Sequence, residues 1–256
     1  MVNSQELLKG QVVHITTAER ALNYKWEKSA GKISPRVQIV SEEDLPSMCA
    51  SGKVTIPQDT ALGDVLVRHP FEPNTYIHVE NAAYQIRLSK FFKISQIAQK
   101  LGALSYNIKA AWEEINERTL DADGTISYKV VQASTNIHSE DKIMQTMGLS
   151  VCAEYGGIRV ISADSLHEAE SIAKQYGLWE DGAINALIRQ RDPNEVNLIK
   201  GMSYTIDMTS ETKHLFDAAF SLNILGGVFN LDSSIKSAIS KQEKITLNIV
   251  FEFPNS

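Results

Sequence analysis

The chain has 256 residues, 43% hydrophobic and 22% charged, with a formal net charge of −6. That is an ordinary globular composition, long enough for one large domain or two small ones. The acidic balance argues against nucleic acid as a partner, because phosphate backbones need a basic surface, and it weakens attraction to anionic lipid.

The first 33 residues carry Lys9, Arg20, Lys25, Lys28 and Lys32 beside Tyr24 and Trp26. A short amphipathic helix is expected near 17–28. "SAGKISPR" reads as a turn or linker, "VQIV" as a short strand and "SEEDLPSMCASGK" as a loop. From Gly52 to Ala82 short strands alternate with loops, and "HPFEPN" is a tight connection whose two prolines fix φ. Leu88, Phe91, Phe92, Ile94, Ile97, Ala98 and Leu101 then recur at helical spacing, with Gly102 as the stop. After it, Leu104, Tyr106, Ile108, Ala110 and Trp112 alternate as a strand does, although a helix also fits the later part.

"TLDADGTISYKV" at 119–130 looks like the middle of a calcium loop. With Gly124 at the sixth position, Asp121 and Asp123 fall on ligand positions. The first position is Thr119, however, and the twelfth is Val130, where a bidentate Glu should supply two oxygens. Asp-Gly between two strands is the commoner hairpin turn, so a turn followed by a strand over 125–134 is expected. Further strands are expected in "MGLSVCAEYGG" and "GGIRVIS". A helix follows over 162–177, capped by Ser162 or Asp164, and then a shorter one in "EDGAINALIRQRDP". The chain returns to strands in "MSYTIDMTS", around "AAFSLNIL", and in "EKITLNIVFEF", where Ile245, Leu247, Ile249, Phe251 and Phe253 share a face.

Strands in runs separated by helices predict an α+β fold, a mainly antiparallel twisted sheet with helices packed on one side. Residues 1–60 are an N-terminal segment that could form a small lobe, and 61–256 the main domain. Cys49 and Cys152 cannot build a disulfide framework. With no signal-type apolar start and no apolar run of about 18 residues, a cytoplasmic protein is expected.

No local motif names a chemistry. His14, His69, His78, His138, His167 and His214 are scattered without metal-ligand spacing. Gly156-Gly157 and Gly226-Gly227 lack a phosphate-cradle pattern, and no nucleophile elbow surrounds a serine. Cys152 reads as a small buried residue rather than a nucleophile. The sequence therefore assigns no catalytic, cofactor-binding or metal residues, expects no cofactor, and points away from an enzyme.

Two segments, 124–155 and 203–253, have the alternation and length of amphipathic hairpins, and about 9–11 such residues cross a bilayer. A half-buried antiparallel sheet presents the same alternation. The helix leading into a strand in "FFKISQIAQKLGALSYNI", then helices, then "LNILGGVFN" and "KITLNIVFEF", resembles the layout of gasdermin-type pore-forming domains. The resemblance implies a non-enzymatic protein that self-associates and moves from the cytoplasm to a lipid membrane. It covers roughly the last two-thirds of the chain and carries over no residue. The alternative is a protein-interaction module with Tyr24, Trp26 or Trp179 as aromatic anchors. An enzyme with a site assembled from distant residues is the third reading.

Overall fold

The computed structural model describes residues 8–27, 32–121, 125–135, 152–195, 198–225 and 231–254. Among them are seven helices and nine strands. The α+β class is as expected, with the strands divided between a mixed and an antiparallel sheet. The chain falls into two compact units. The first comprises Met1–Ala83, Ile115–Val131 and Glu211–Glu243, and the second Tyr84–Glu114, Gln132–Ser210 and Lys244–Ser256.

The first unit is built on β1 (Val12–Thr16), β2 (Val37–Ser41), β3 (Val65–Arg68) and β4 (Tyr76–His78), in the order β2-β1-β3-β4. The β1–β2 pair is parallel and the others antiparallel. Every residue of β1 is buried, so this β-branched strand is covered on both faces. Val13 and Ile15 pack with Leu66, Val40, Tyr76, Leu45 and Met48. The Tyr76 hydroxyl donates to the Gly10 carbonyl at 2.6 Å, so even this large buried ring keeps its polar tip satisfied.

Helix α1 (Ala18–Asn23), capped by Thr17, continues into a 3-10 turn at Tyr24–Trp26, as the sequence suggested. Two other segments depart from expectation. Residues 45–52 are not loop but helix α2 (Leu45–Gly52). Its start is set by Ser41, whose hydroxyl accepts the Glu43 and Asp44 N–H groups, with Pro46 in the first turn and Lys53 ending it at φ 49°. The polar run "SEED" conceals the two buried anchors Leu45 and Met48. "AAFSLNIL" is likewise no strand, but the end of a helix and a 3-10 turn at Ser221–Leu225. Thr212, Leu215, Phe216 and Ala219 are buried at helical spacing, and that stripe outweighs the local β-like content.

The second unit holds most of the long helix α3 (Val79–Lys100), which buries Phe91, Ile94, Ile97 and Ala98. The antiparallel sheet contains β5 (Ser105–Leu120), β6 (Ile126–Thr135), β7 (Cys152–Glu154), β8 (Gly201–Asp207) and β9 (Lys241–Glu252). Its order is β6-β5-β9-β8, with β7 also on β5. The apolar face of β9 is buried as the alternation required, and Phe251 stacks on Tyr204 at 5.6 Å. Tyr106 of β5 meets Phe91 edge-on at 5.5 Å. The ambiguous 104–120 region is thus strand throughout Ser105–Leu120.

Helix α4 (Ala163–Gln175) starts on the Ser162 hydroxyl, which accepts the Ser165 N–H. Helix α5 (Gly182–Arg189) starts on the Asp181 carboxylate. The expected strand in "GGIRVIS" does not form. Ile158 and Arg159 instead direct their carbonyls to the Arg191 guanidinium, at 2.9 and 3.0 Å. Of "MGLSVCAEYGG", β7 is a strand, and residues 147–151 lie outside the described ones.

The paired segments also differ from expectation. Strands β6 and β7 do not pair with each other among the described residues; both lie against β5. The hairpin is therefore β5–β6. Strands β8 and β9 do pair, with Gly201 opposite Glu252 and Asp207 opposite Thr246, but two helices intervene in the chain. These are α6 (Ser210–Phe220) and α7 (Ser233–Ser240). The sequence reading left both α7 and β1 unassigned.

Candidate functional site

The hairpin Ile115–Val131, in the first unit, has an unusual inward face. On a strand the residues at alternate positions share a side. On this part of β5 the buried alternate residues are Asn116 and Arg118, both polar. Strand β6 buries none of Ile126–Gln132, and Tyr128, Val130 and Val131 are exposed. Apolar burial therefore contributes little to this hairpin, and polar groups hold it.

Arg118 is the centre of that set. Its Nε donates to Asp217 Oδ1 at 2.9 Å, with 1% of the Arg118 side chain exposed. Its NH1 donates to the Lys241 carbonyl at 2.6 Å and more weakly to the Ile239 carbonyl, at the C-terminal end of α7. A cation belongs there, because the last carbonyls of a helix lack partners and carry partial negative charge. The guanidinium carbon stands 5.5 Å from the Phe216 ring and 5.9 Å from the Tyr128 ring.

Lys213, one turn before Asp217, takes the other carboxylate oxygen at 3.3 Å and stands 4.5 Å from the Tyr128 ring. About half of its side chain is exposed, so this pair adds little beside the buried Arg118 one. Burial raises the Tyr128 hydroxyl pKa, and Asp217 raises it further. The Tyr128 hydroxyl in turn raises Lys213, against a smaller desolvation effect. Both shifts favour the protonated forms of the phenol and of the Lys213 amine. That arrangement fixes geometry; it presents no free base and no nucleophile poised beside one.

Two clefts of the first unit adjoin this group. One, of about 320 Å³, is lined by Glu80, Arg118, Thr212, Phe216, Ser234 and Lys241. The other, of about 330 Å³, is lined by Lys32, Ser34, Arg36, His214, Asp217 and Ser221, with Leu120 and Ile126 from the hairpin. The first mixes acidic and basic side chains; the second is predominantly basic.

The calcium-like stretch sits at the end of the same hairpin. Strand β5 ends at Leu120 and β6 begins at Ile126, neighbours in the sheet. The Asp121 N–H donates to the Thr125 carbonyl at 2.9 Å, and Ser127 Oγ donates to the Asp121 carboxylate. The turn reading fits this closure; residues 122–124 lie outside the described ones.

The scattered histidines stay apart. His14 is buried in β1, and its Nδ1 lies 3.2 Å from the Asp64 carbonyl. Desolvation is the main cause that lowers it to about 4, against a smaller upward effect of that carbonyl. His69 Nδ1 accepts the Phe71 N–H in the β3–β4 connection. His78 faces Asp59 at 3.1 Å and Asp64 at 3.6 Å. His167 is exposed on α4, and His138 lies outside the described residues. Cys49 is half-buried in α2, where burial raises its thiol pKa. Among the described residues no group of three or more His, Cys, Asp or Glu side chains has an arrangement that could hold a metal ion, the His78, Asp59 and Asp64 contact included.

Of the suggested anchors, Trp26 is 88% exposed. Tyr24 and Trp179 are half-buried, the latter with the Lys174 ammonium over its ring at 4.5 Å. Sequence reasoning missed Asn116, Arg118 and Asp217. The signal was present in "EINERTL", where Asn116 and Arg118 sit two apart on a strand whose neighbours Glu117 and Thr119 face solvent. No family model, curated protein or solved structure matches this chain.

Proposed function

We propose that this chain is a non-enzymatic, cytoplasmic, self-assembling protein in which the Ile115–Val131 hairpin is the working element. The observation that carries the reading is the state of β6. Among the described residues it stands at the end of its sheet's strand order, with adjacent Val130 and Val131 exposed at 56% and 52%. Adjacent strand residues point to opposite faces, so each face of this edge shows one exposed valine, Val130 beside Tyr128 on one side and Val131 between Lys129 and Ala133 on the other. An open edge of this kind is a template for another strand, and natural proteins usually protect it. Here Lys129 is the one charge between Ile126 and Thr135. The occupant proposed is β6 of a second copy, paired antiparallel.

A membrane role extends the same reading. Ile115–Val131 is the turn end of longer strands: β5 and β6 in full have 16 and 10 residues, a tilted bilayer crossing takes about 9–11, and insertion would therefore draw on residues of both strands beyond the hairpin itself. Because the inward anchors are polar, the hairpin can leave its place without exposing a large apolar face. The gasdermin-like layout points the same way. Liposomes of neutral and of anionic lipid loaded with dye test this step. Leakage that is lost in Val130→Lys supports insertion; leakage unchanged by that variant, or none from wild type in either lipid, contradicts it.

A second reading has its own observation. Trp26, at 88% exposure, is the most exposed of the large hydrophobic side chains among the described residues, and such aromatics anchor partner interfaces. If Trp26→Ala, rather than Val131→Lys, abolishes self-association, the contact surface is that end of α1 and not the β6 edge.

A further inference from the structure

We infer that the basic cleft of the first unit is a binding site for a small, freely diffusing oxyanion, a phosphate or phosphate monoester, held by Arg36, Lys32 and His214. The site goes beyond the assembly reading and stands without it.

Three nitrogen-bearing side chains line this 330 Å³ cleft, and one carboxylate, Asp217. That carboxylate is already occupied on both oxygens, by Arg118 and by Lys213. Those two cations already exceed its single negative charge, and among the described residues neither Arg36 nor Lys32 makes an ion pair. Both are exposed and need no partner in order to fold. They converge on one concavity of a chain whose net charge is −6, so the cleft is a local exception and not part of a general basic surface.

The hydroxyl side of the cleft is pre-set. Ser221 is buried; its Oγ accepts the Ser34 N–H at 3.0 Å and donates to the Ala218 carbonyl at 2.6 Å. The Ser34–Ser221 bond ties residue 34 to the 3-10 turn that follows α6. Ser34 Oγ in turn accepts the Arg36 N–H at 3.3 Å. Among the described residues the Ser34 hydroxyl hydrogen meets no acceptor, so it can turn to a ligand oxygen. A guanidinium, an ammonium and a hydroxyl face this pocket against one carboxylate that already carries a cation on each oxygen, and this excess of positive donors favours an oxyanion over a cation.

His214 reports on the vacancy of charge. Burial lowers its pKa, and the Arg36 charge lowers it further, against upward effects of Asp217 and Glu211. Lys32 lines the same cleft. An anion seated among these groups reverses the Arg36 effect and raises the imidazole pKa.

The test is titration of the full chain with inorganic phosphate and, separately, glycerol phosphate, followed by calorimetry and by the imidazole NMR resonances. Saturable binding is expected, with an upward shift of the His214 pKa and no shift at the exposed His167. Arg36→Gln weakens phosphate binding about tenfold, the cost of one charge-assisted bond, at an unchanged melting temperature. Lys93→Gln, on α3, leaves it unchanged. Equal weakening by Lys93→Gln, non-saturable binding, or a fixed His214 pKa overturns the assignment. Binding to phosphatidic acid vesicles without binding to either free phosphate also overturns it, in favour of a lipid surface.

Discussion

At the scale of single residues, the buried polar groups His14 and Arg191 carry specific, measurable consequences. His14 is held neutral, with a pKa lowered to about 4 by burial from the usual 6.5. In the unfolded chain it takes up a proton near pH 6.5 and in the folded chain only near 4. Its contribution is therefore complete above pH 6.5 and is lost as pH falls towards 4, by up to about 3 kcal/mol. Urea unfolding between pH 7 and 4 should show this loss, and His14→Leu should flatten the curve in that window. Arg191 is the second case. It is 1% exposed, donates to the carbonyls of Leu101, Ile158, Arg159 and Ile199, and lies 4.4 Å from the Phe253 ring. Arg191→Met orphans several buried acceptors and should cost about 3 kcal/mol in urea unfolding. Arg191→Lys should recover only part of it, because an ammonium cannot reach the same fork of carbonyls. Gly102 adopts φ 76°, and a Cβ there would strike the Ile158 carbonyl. Gly102→Ala should thus destabilise by about 2 kcal/mol in the same assay.

At the scale of elements, legibility followed the apolar stripe. Helix α3 and strand β9 could be read directly, because Phe91, Ile94, Ile97 and Ala98, and Ile245 through Phe251, form unbroken buried faces. Helix α2 could not, since two buried anchors within a polar opening leave no stripe to count. The run "AAFSLNIL" misled because its helical partners Thr212 and Leu215 lie upstream of the β-like letters. Strand β1 escaped because both its faces are buried, so it does not alternate. The site was the least legible part. Arg118 and Asp217 are 99 positions apart, and nothing local announces that they meet. The Ile115–Val131 hairpin buries few apolar side chains, so it should open before strands β1 and β3 of its unit. In Arg118→Met, amide exchange over 115–131 should rise about tenfold or more, while β1 and β3 keep their protection. Uniform exchange across both would show that Arg118 supports the whole unit rather than the hairpin.

For the whole molecule, the central claim is that copies associate through the open edge of β6. Substitutions at Val130 and Val131 replace exposed side chains, so they separate association from folding. Sedimentation velocity over a hundredfold range of concentration, on wild type and on the double variant Val130→Lys/Val131→Lys, tests it most directly. Wild type is expected to sediment as larger species with rising concentration. The double variant should remain monomeric at an unchanged unfolding midpoint, because paired lysines on both faces oppose strand pairing. A wild type that stays monomeric throughout, or a double variant that associates as wild type does, would contradict assembly through this edge.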